Sequence, residues 1–342
     1  MICFCWLGFP QYGARAIRAF VKSTDEEVVV VATQPNVPVK GMEELSGCRV
    51  IWIDVADTRS IVEIVGKMPR VITVPSWRFK SFDRFRRETC LAGGKTILMS
   101  DNNLEYSFRI IAKMLLMRLG GRLRYDGYWV PHKSGRRLMR FFGVPDENIF
   151  EGMYSADASL FAASGRDILS RPKKIIFVGQ LCDRKNPLRM CEAFRAAKGP
   201  ELGWSLDLYG TGALKDRIPQ GNGIFVHDFL QPEELASKYR DARVFCLPSL
   251  EEHWGLVVHE AVLSGCALLL SNRVGAAEDL LEEGVNGCSF SPFTENELKR
   301  ALVQIFSWNE AQFDRASEKS MELGARIDFT KFVEGVKAFC KE

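Results

Sequence analysis

Short apolar runs rich in β-branched residues alternate with longer helix-periodic stretches through the whole chain, and they do so in two separate series. Strand-length runs separated by helical patterns argue for βαβ units and hence for parallel sheets with helices on both faces. In the first series the expected strands are 2–7, 28–33, 49–54, 70–74, 96–99 and 127–130, with helices over 14–22, 59–67, 79–91 and 105–119. Near residue 150 the pattern breaks. A second series then begins, with strands expected at 174–178, 205–209, 224–226, 244–247 and 267–271. Its helices are expected at 187–197, 232–239, 256–264, 276–282 and 295–307. Pro232 suits a first helical turn, where its missing N–H costs nothing, and Gly265 suits a helix end. The economical architecture is α/β: two Rossmann-like, doubly wound domains facing a cleft. The tail carries Phe329, Phe332, Val333, Val336 and Phe339 on one helical face, which must be buried against something.

At 342 residues, two domains are the natural count. No apolar run reaches the roughly 18 residues of a membrane span. The opening MICFCWLGFP lacks the basic start of a signal peptide and reads as a buried strand. The ten cysteines include no CxxC pair, and several fall inside apolar strand runs, so reduced structural thiols are expected. A cytoplasmic protein follows from this reading. Charge is uneven: residues 78–140 hold 15 Lys and Arg against five Asp and Glu. Either this is a solvated helical face, or it is a surface for an anionic partner, such as the inner face of a membrane. Nucleic acid is not expected, because no RNP, zinc-finger or comparable motif accompanies the charge.

The most informative segment is VFCLPSLEEHWGLVVHEAVLSGC. It reads as a buried strand, a loop and a helix starting near Gly255. The N–H groups of Gly255, Leu256 and Val257 would face whatever lies at that helix end, favouring an anion such as a diphosphate. Glu252 and Glu260, with seven residues between them, place one carboxylate in the loop and one on the helix. A helical carboxylate suits the vicinal diol of a ribose, although Glu252 alone would equally well complement the helix dipole.

The longer string PSLEEHWGLVVHEAVLSGCALLLSNRVGAAEDLLEEGVNGCSF resembles the donor-binding motif of the retaining glycosyltransferases of the GT-B fold, family four (glycosyl transferases group 1). The resemblance extends back through KKIIFVGQLCDRKNPLRMCEAF and covers roughly 172–322. It implies a metal-independent hexosyltransferase using a nucleotide diphosphate sugar, with no further cofactor. The acceptor would be a lipid-linked glycan or a cell-surface polysaccharide precursor. It implies an acceptor-binding domain over 1–165, a nucleotide-sugar domain over 172–322, and a terminal helix over 323–342 packing back on the first. Glu252 would contact the transferred sugar, Glu260 the ribose, and Lys185 the diphosphate. Where the family has an Arg after Gly179 this chain has Gln180, and Arg184 would then supply the missing cation. The base would lie near Tyr209, Gly210, His227 and Phe229, with His253 touching substrate or solvent. In the first domain, Gly13 in a strand–loop–helix passage would face the diphosphate. Asp101 or Asn102 would meet the acceptor, or Asn102 would cap a helix. The chain has no Asp-x-Asp triplet, so a metal-clamped diphosphate is not expected. Two alternatives remain open at this level: a nucleotide-sugar epimerase of the same fold, and a non-catalytic lipid-binding module.

Overall fold

The computed structural model describes residues 1–35, 39–75, 79–101, 125–163, 168–294 and 296–341. The chain divides into two compact units, Met1–Ser155 together with Asp328–Glu342, and Ala156–Ile327.

The first unit is built on a parallel sheet of β1 (Ile2–Trp6), β2 (Val28–Ala32), β3 (Arg49–Trp52), β4 (Val71–Val74), β5 (Lys95–Met99), β6 (Gly127–Trp129) and β7 (Ile149–Phe150). The strand order is β3-β2-β1-β4-β5-β6-β7. Strands covered on both faces read as unbroken apolar runs, which is why ICFCW and VVVVA are buried throughout. Side chains still alternate between the two faces. Phe4 and Trp6 join Phe9, Phe20 and Trp129 in one core. Cys3 and Cys5 join Val29, Phe82 and Phe85 in the other.

The helix Phe329–Cys340 belongs to this first unit. Asp328 caps it by accepting from the Thr330 N–H at 2.9 Å. Phe332 packs on Trp129 with ring centroids 4.7 Å apart, and Phe339 lies edge-on to the same ring at 5.4 Å. The stretch 323–328 is not part of it, because the preceding helix Glu310–Ala325 ends there inside the second unit. Residues 156–163 likewise sit with the second unit, since the Ala156 N–H donates to His259 Nδ1 at 2.9 Å. The Ser264 hydroxyl also donates to the Phe161 carbonyl.

The second unit repeats the architecture with β8 (Lys174–Val178), β9 (Ser205–Tyr209), β10 (Ile224–His227), β11 (Val244–Leu247), β12 (Ala267–Ser271) and β13 (Gly287–Phe290). Their order is β10-β9-β8-β11-β12-β13, all pairs parallel. Pro232 is the first residue of the helix Pro232–Arg240, and Gly265 follows the helix Leu256–Leu263 at φ 72°. Each sheet reverses its winding beside its first strand, between β1 and β4 and between β8 and β11. In doubly wound sheets that reversal opens a crevice at the carboxyl ends of the strands, where ligands bind.

Part of the basic stretch 78–140 is paired within the first unit. Arg78, Arg109, Lys113, Arg118, Arg122 and Arg124, with the expected helix 105–119, lie outside the described residues. Among those described, Arg86 and Arg87 pair with Asp83, and Arg84 reaches Glu88. Arg136 and Arg140 converge on Asp146, and Arg136 also bonds Glu151.

Candidate functional site

The loops that leave β8 and β11 carry the charged residues of the site. After Val178 the chain passes Gly179 and exposed Gln180, then makes a tight turn over Asp183–Lys185. Asn186 follows at φ 59°, and Pro187 opens the helix Pro187–Ala196. This geometry turns the Lys185 side chain inward, where it is buried at 8 % exposure. After Leu247 the second loop is tied down by its backbone. The Leu250 N–H donates to the Arg184 carbonyl at 2.8 Å. Glu252 is pinned from both sides, its N–H donating to Arg273 O at 3.0 Å and its carbonyl accepting from the Gly275 N–H at 2.9 Å.

Three charged side chains meet there. Lys185 Nζ donates to Glu252 Oε2. Arg184 Nη1 donates to the Glu251 carbonyl at 2.7 Å and lies 3.4 Å from the same Glu252 oxygen. Burying an ammonium without a partner would be costly, so the pairing accounts for the tolerance of Lys185 in this position. Gly255 adopts φ 92° and ψ 70° as the helix Leu256–Leu263 begins, and a Cβ there would come within 3.1 Å of Glu252 Cγ. No described side chain caps this first turn, which begins directly after the loop that carries Glu252.

Glycine is required elsewhere for close approach. Gly210 follows β9 at φ 150°, and a Cβ on it would overlap the Gly179 carbonyl oxygen. Neighbouring Tyr209 stacks on His227 with ring centroids 4.4 Å apart and planes 14° from parallel. Phe229, 39 % exposed, follows on the same edge.

Glu260 is not an open carboxylate. It is 9 % exposed, and its Oε2 accepts a hydrogen bond from the Tyr239 hydroxyl at 2.9 Å. Burial pushes its pKa up to about 7, with the Tyr239 bond opposing. Tyr239 carries no local sequence signature; it is brought to Glu260 from the helix Pro232–Arg240 by tertiary packing. His253 lies 3.6 Å from Glu251 at the surface. His259 is structural. Its Nδ1 accepts the Ala156 N–H, so Nε2 carries the proton and donates to the Gly324 carbonyl at 2.9 Å.

In the first unit Gly13 lies inside the helix Gln11–Val21 rather than in a loop. A Cβ there would sit 3.1 Å from Trp6 and 3.2 Å from Phe9, so the glycine seats the helix on the aromatic core. Asp101 is exposed just beyond β5 and accepts a hydrogen bond from the buried Tyr154 hydroxyl. Burial pushes Tyr154 well above the usual tyrosine range, helped by Tyr12 and Asp101. Asn102 lies outside the described residues.

Comparison with known proteins bears on the fold and on the second half of the chain. Residues 172–307 match the family profile of glycosyl transferases group 1. Over 175 residues the chain is 20 % identical to the poly(glycerol-phosphate) alpha-glucosyltransferase of Bacillus subtilis (strain 168), covering 49 % of this chain and 26 % of that one. Over 174 residues it is 24 % identical to the uncharacterized glycosyltransferase MJ1178 of Methanocaldococcus jannaschii, covering 49 % and 47 %. The chain thus spans between a quarter and a half of the length of these relatives. Anabaena Alr3699/HepE, solved in complex with UDP, shares the fold at a TM-score of 0.76 and 14 % identity over 98 % of both chains. Residues 172–307 are thus similar to the glycosyl transferases group 1 family, in a chain whose two Rossmann-like units share the fold of Alr3699/HepE.

Proposed function

We propose that the chain is a retaining hexosyltransferase that moves a sugar from a nucleotide diphosphate sugar to a glycan or lipid-linked acceptor. The observation that carries this reading is the meeting of Lys185, Arg184 and Glu252 at the carboxyl ends of β8 and β11. Two cations and a helix N-terminus gathered at a switch point suit a diphosphate, and the carboxylate beside them suits sugar hydroxyls.

Group transfer breaks the bond between the anomeric carbon and the phosphate oxygen and forms one from that carbon to the acceptor hydroxyl oxygen. The acceptor proton passes to the departing diphosphate, whose oxygen leaves on the face that the acceptor attacks. In this reading Lys185 and Arg184 exchange Glu252 for phosphate oxygens when the donor binds, and so stabilise the charge that develops as the diphosphate departs. Arg184 takes the role of the cation absent at Gln180. Glu252, released, holds the sugar hydroxyls. Glu260 holds the ribose diol, and the Tyr209–His227 stack borders the base. Two similar proteins suit this reading: a poly(glycerol-phosphate) glucosyltransferase, and a protein of the same fold solved with UDP-glucose.

The test is incubation with radiolabelled UDP- and GDP-sugars and a lipid or glycan extract, with the anomeric configuration of the product read by NMR. Labelled product of retained configuration supports the reading. An inverted product overturns retention, and no transfer from any donor overturns the hexosyltransferase assignment.

A further inference from the structure

Tyr239 has no solvent exposure, and its ring is held edge-on to Phe161 at 5.8 Å and tilted against Phe245 at 5.9 Å. A hydroxyl so buried must find its acceptor inside the protein. Here the acceptor is Glu260 Oε2, at 2.9 Å, on the second turn of the helix Leu256–Leu263. The tyrosine and the glutamate come from different helices, 21 residues apart in sequence. Two packed aromatic neighbours therefore set the direction of the hydroxyl, and the hydroxyl sets the carboxylate. An ionised carboxylate has two oxygens and about four acceptor positions, so one bond to Tyr239 fixes its plane and leaves the other oxygen to a ligand.

We infer that Tyr239 is the positioning residue of the donor-ribose carboxylate, holding Glu260 oriented and ionised for the two ribose hydroxyls. The inference rests on the proposed assignment of Glu260 to the ribose. Its physical content is a balance. Burial favours the protonated acid, which presents a donor where the diol needs an acceptor, and the Tyr239 bond is the force acting the other way. Among the described residues no other group shifts Glu260. Beyond Tyr239 lies Cys266, whose thiol donates to the Tyr239 carbonyl and is pushed up by burial to about 11. It stays neutral near physiological pH. On the same helix as Glu260, His259 has both ring nitrogens engaged by Ala156 and Gly324.

Two measurements on the full chain test this. The first is the titration of the Glu260 carboxyl, followed by carbon-13 NMR in nucleotide-free protein and assigned by its loss in Glu260→Gln. The second is the affinity for UDP and for GDP of the wild type, Tyr239→Phe, Glu260→Gln and the double variant, from about pH 6 to about pH 9. Phenylalanine keeps the ring packing and removes only the hydroxyl. In Tyr239→Phe the titration should move upward by about one pH unit, and affinity at pH 7 should fall about tenfold. The affinity loss should shrink toward pH 9 as the carboxylate re-ionises, and in the Glu260→Gln background the tyrosine change should add nothing. An unshifted titration, or the same loss in that background, overturns the role of Tyr239 while leaving Glu260 as the ribose ligand. A shifted titration with Glu260→Gln binding both nucleotides like the wild type overturns the ribose assignment, and the positioning role with it.

Discussion

Replacing Glu260 by glutamine should stabilise the nucleotide-free protein at alkaline pH while weakening its hold on the donor. In the folded chain burial raises this carboxyl from its ordinary value near 4.5 to about 7. A group that binds its proton more tightly when folded makes stability fall as pH rises, because the unfolded chain releases that proton first. The loss therefore begins near pH 4.5, accumulates up to about pH 7 and persists above it. At about 1.36 kcal/mol for each pH unit, the gap amounts to about 3 kcal/mol. Glutamine has no proton to lose, fills the same volume and still offers an oxygen to the Tyr239 hydroxyl. At pH 4 the variant and the wild type should melt within a degree or two of one another, because the carboxyl is mostly protonated there in both the folded and the unfolded chain. At pH 8 the variant should melt higher by about 6 to 12 °C, for a cooperative unit the size of Ala156–Ile327. Calorimetry at the two pH values, without nucleotide, reads this directly. A melting difference that is the same at both, or a variant that melts lower at pH 8, would refute the reasoning from buried charge.

Glu252→Gln should reduce turnover, since its contacts are assigned to the transferred sugar, without weakening nucleotide affinity, because the diphosphate no longer has to displace a carboxylate from Lys185 and Arg184; Lys185→Ala should cost about 100-fold in kcat, measured with labelled donor. Gly210→Ala should destabilise the second unit by roughly 3 kcal/mol, through a side chain that overlaps Gly179 and a φ of 150° that alanine avoids, visible in denaturant unfolding. Transfer should persist in excess EDTA; abolition restored by a divalent cation would contradict the metal-independent reading. If the basic part of the first unit meets anionic lipid, sedimentation with anionic vesicles should exceed that with neutral ones and fade with salt, and equal or absent binding ends that idea.

Much of the second unit was legible because its strands are buried on both faces and flanked by turn residues: β8, β9 and β11 lie where the apolar runs place them. The strand Gly287–Phe290 was not, since GCSF offers neither β-branching nor alternation and owes its place to pairing with β12. The pairing within the basic stretch was not legible for a related reason. A charge count over 78–140 cannot include Asp146 and Glu151, which fold back onto Arg136 and Arg140 from beyond the window. Glycines divided the same way. Gly255 and Gly210 sit beside the loops of the site, whereas Gly13, equally prominent in sequence, answers to the aromatic core beneath its helix.

Two buried ionisable residues of the second unit bear on where its function lies. Lys185 and Glu260 are both nearly inaccessible, and a leucine at either position would avoid the price of burying an ionisable group. The helix Leu256–Leu263 shows how readily it could do so, with Val258, Ala261, Val262 and Leu263 already packed into the core around Glu260. Neither residue is needed to specify the sheet, whose register runs through Val178, Tyr209 and Leu247. Yet Lys185 lies on the loop that leaves β8 and Glu260 on the helix entered from the loop after β11, and these strands flank the point where the winding reverses. Departures from the cheapest core that gather at a switch point indicate a binding site, because a ligand supplies there what the empty fold lacks. In the proposed reading, that is for Lys185 an anion to replace Glu252, and for Glu260 a pair of hydroxyls to hold the carboxylate in its charged form.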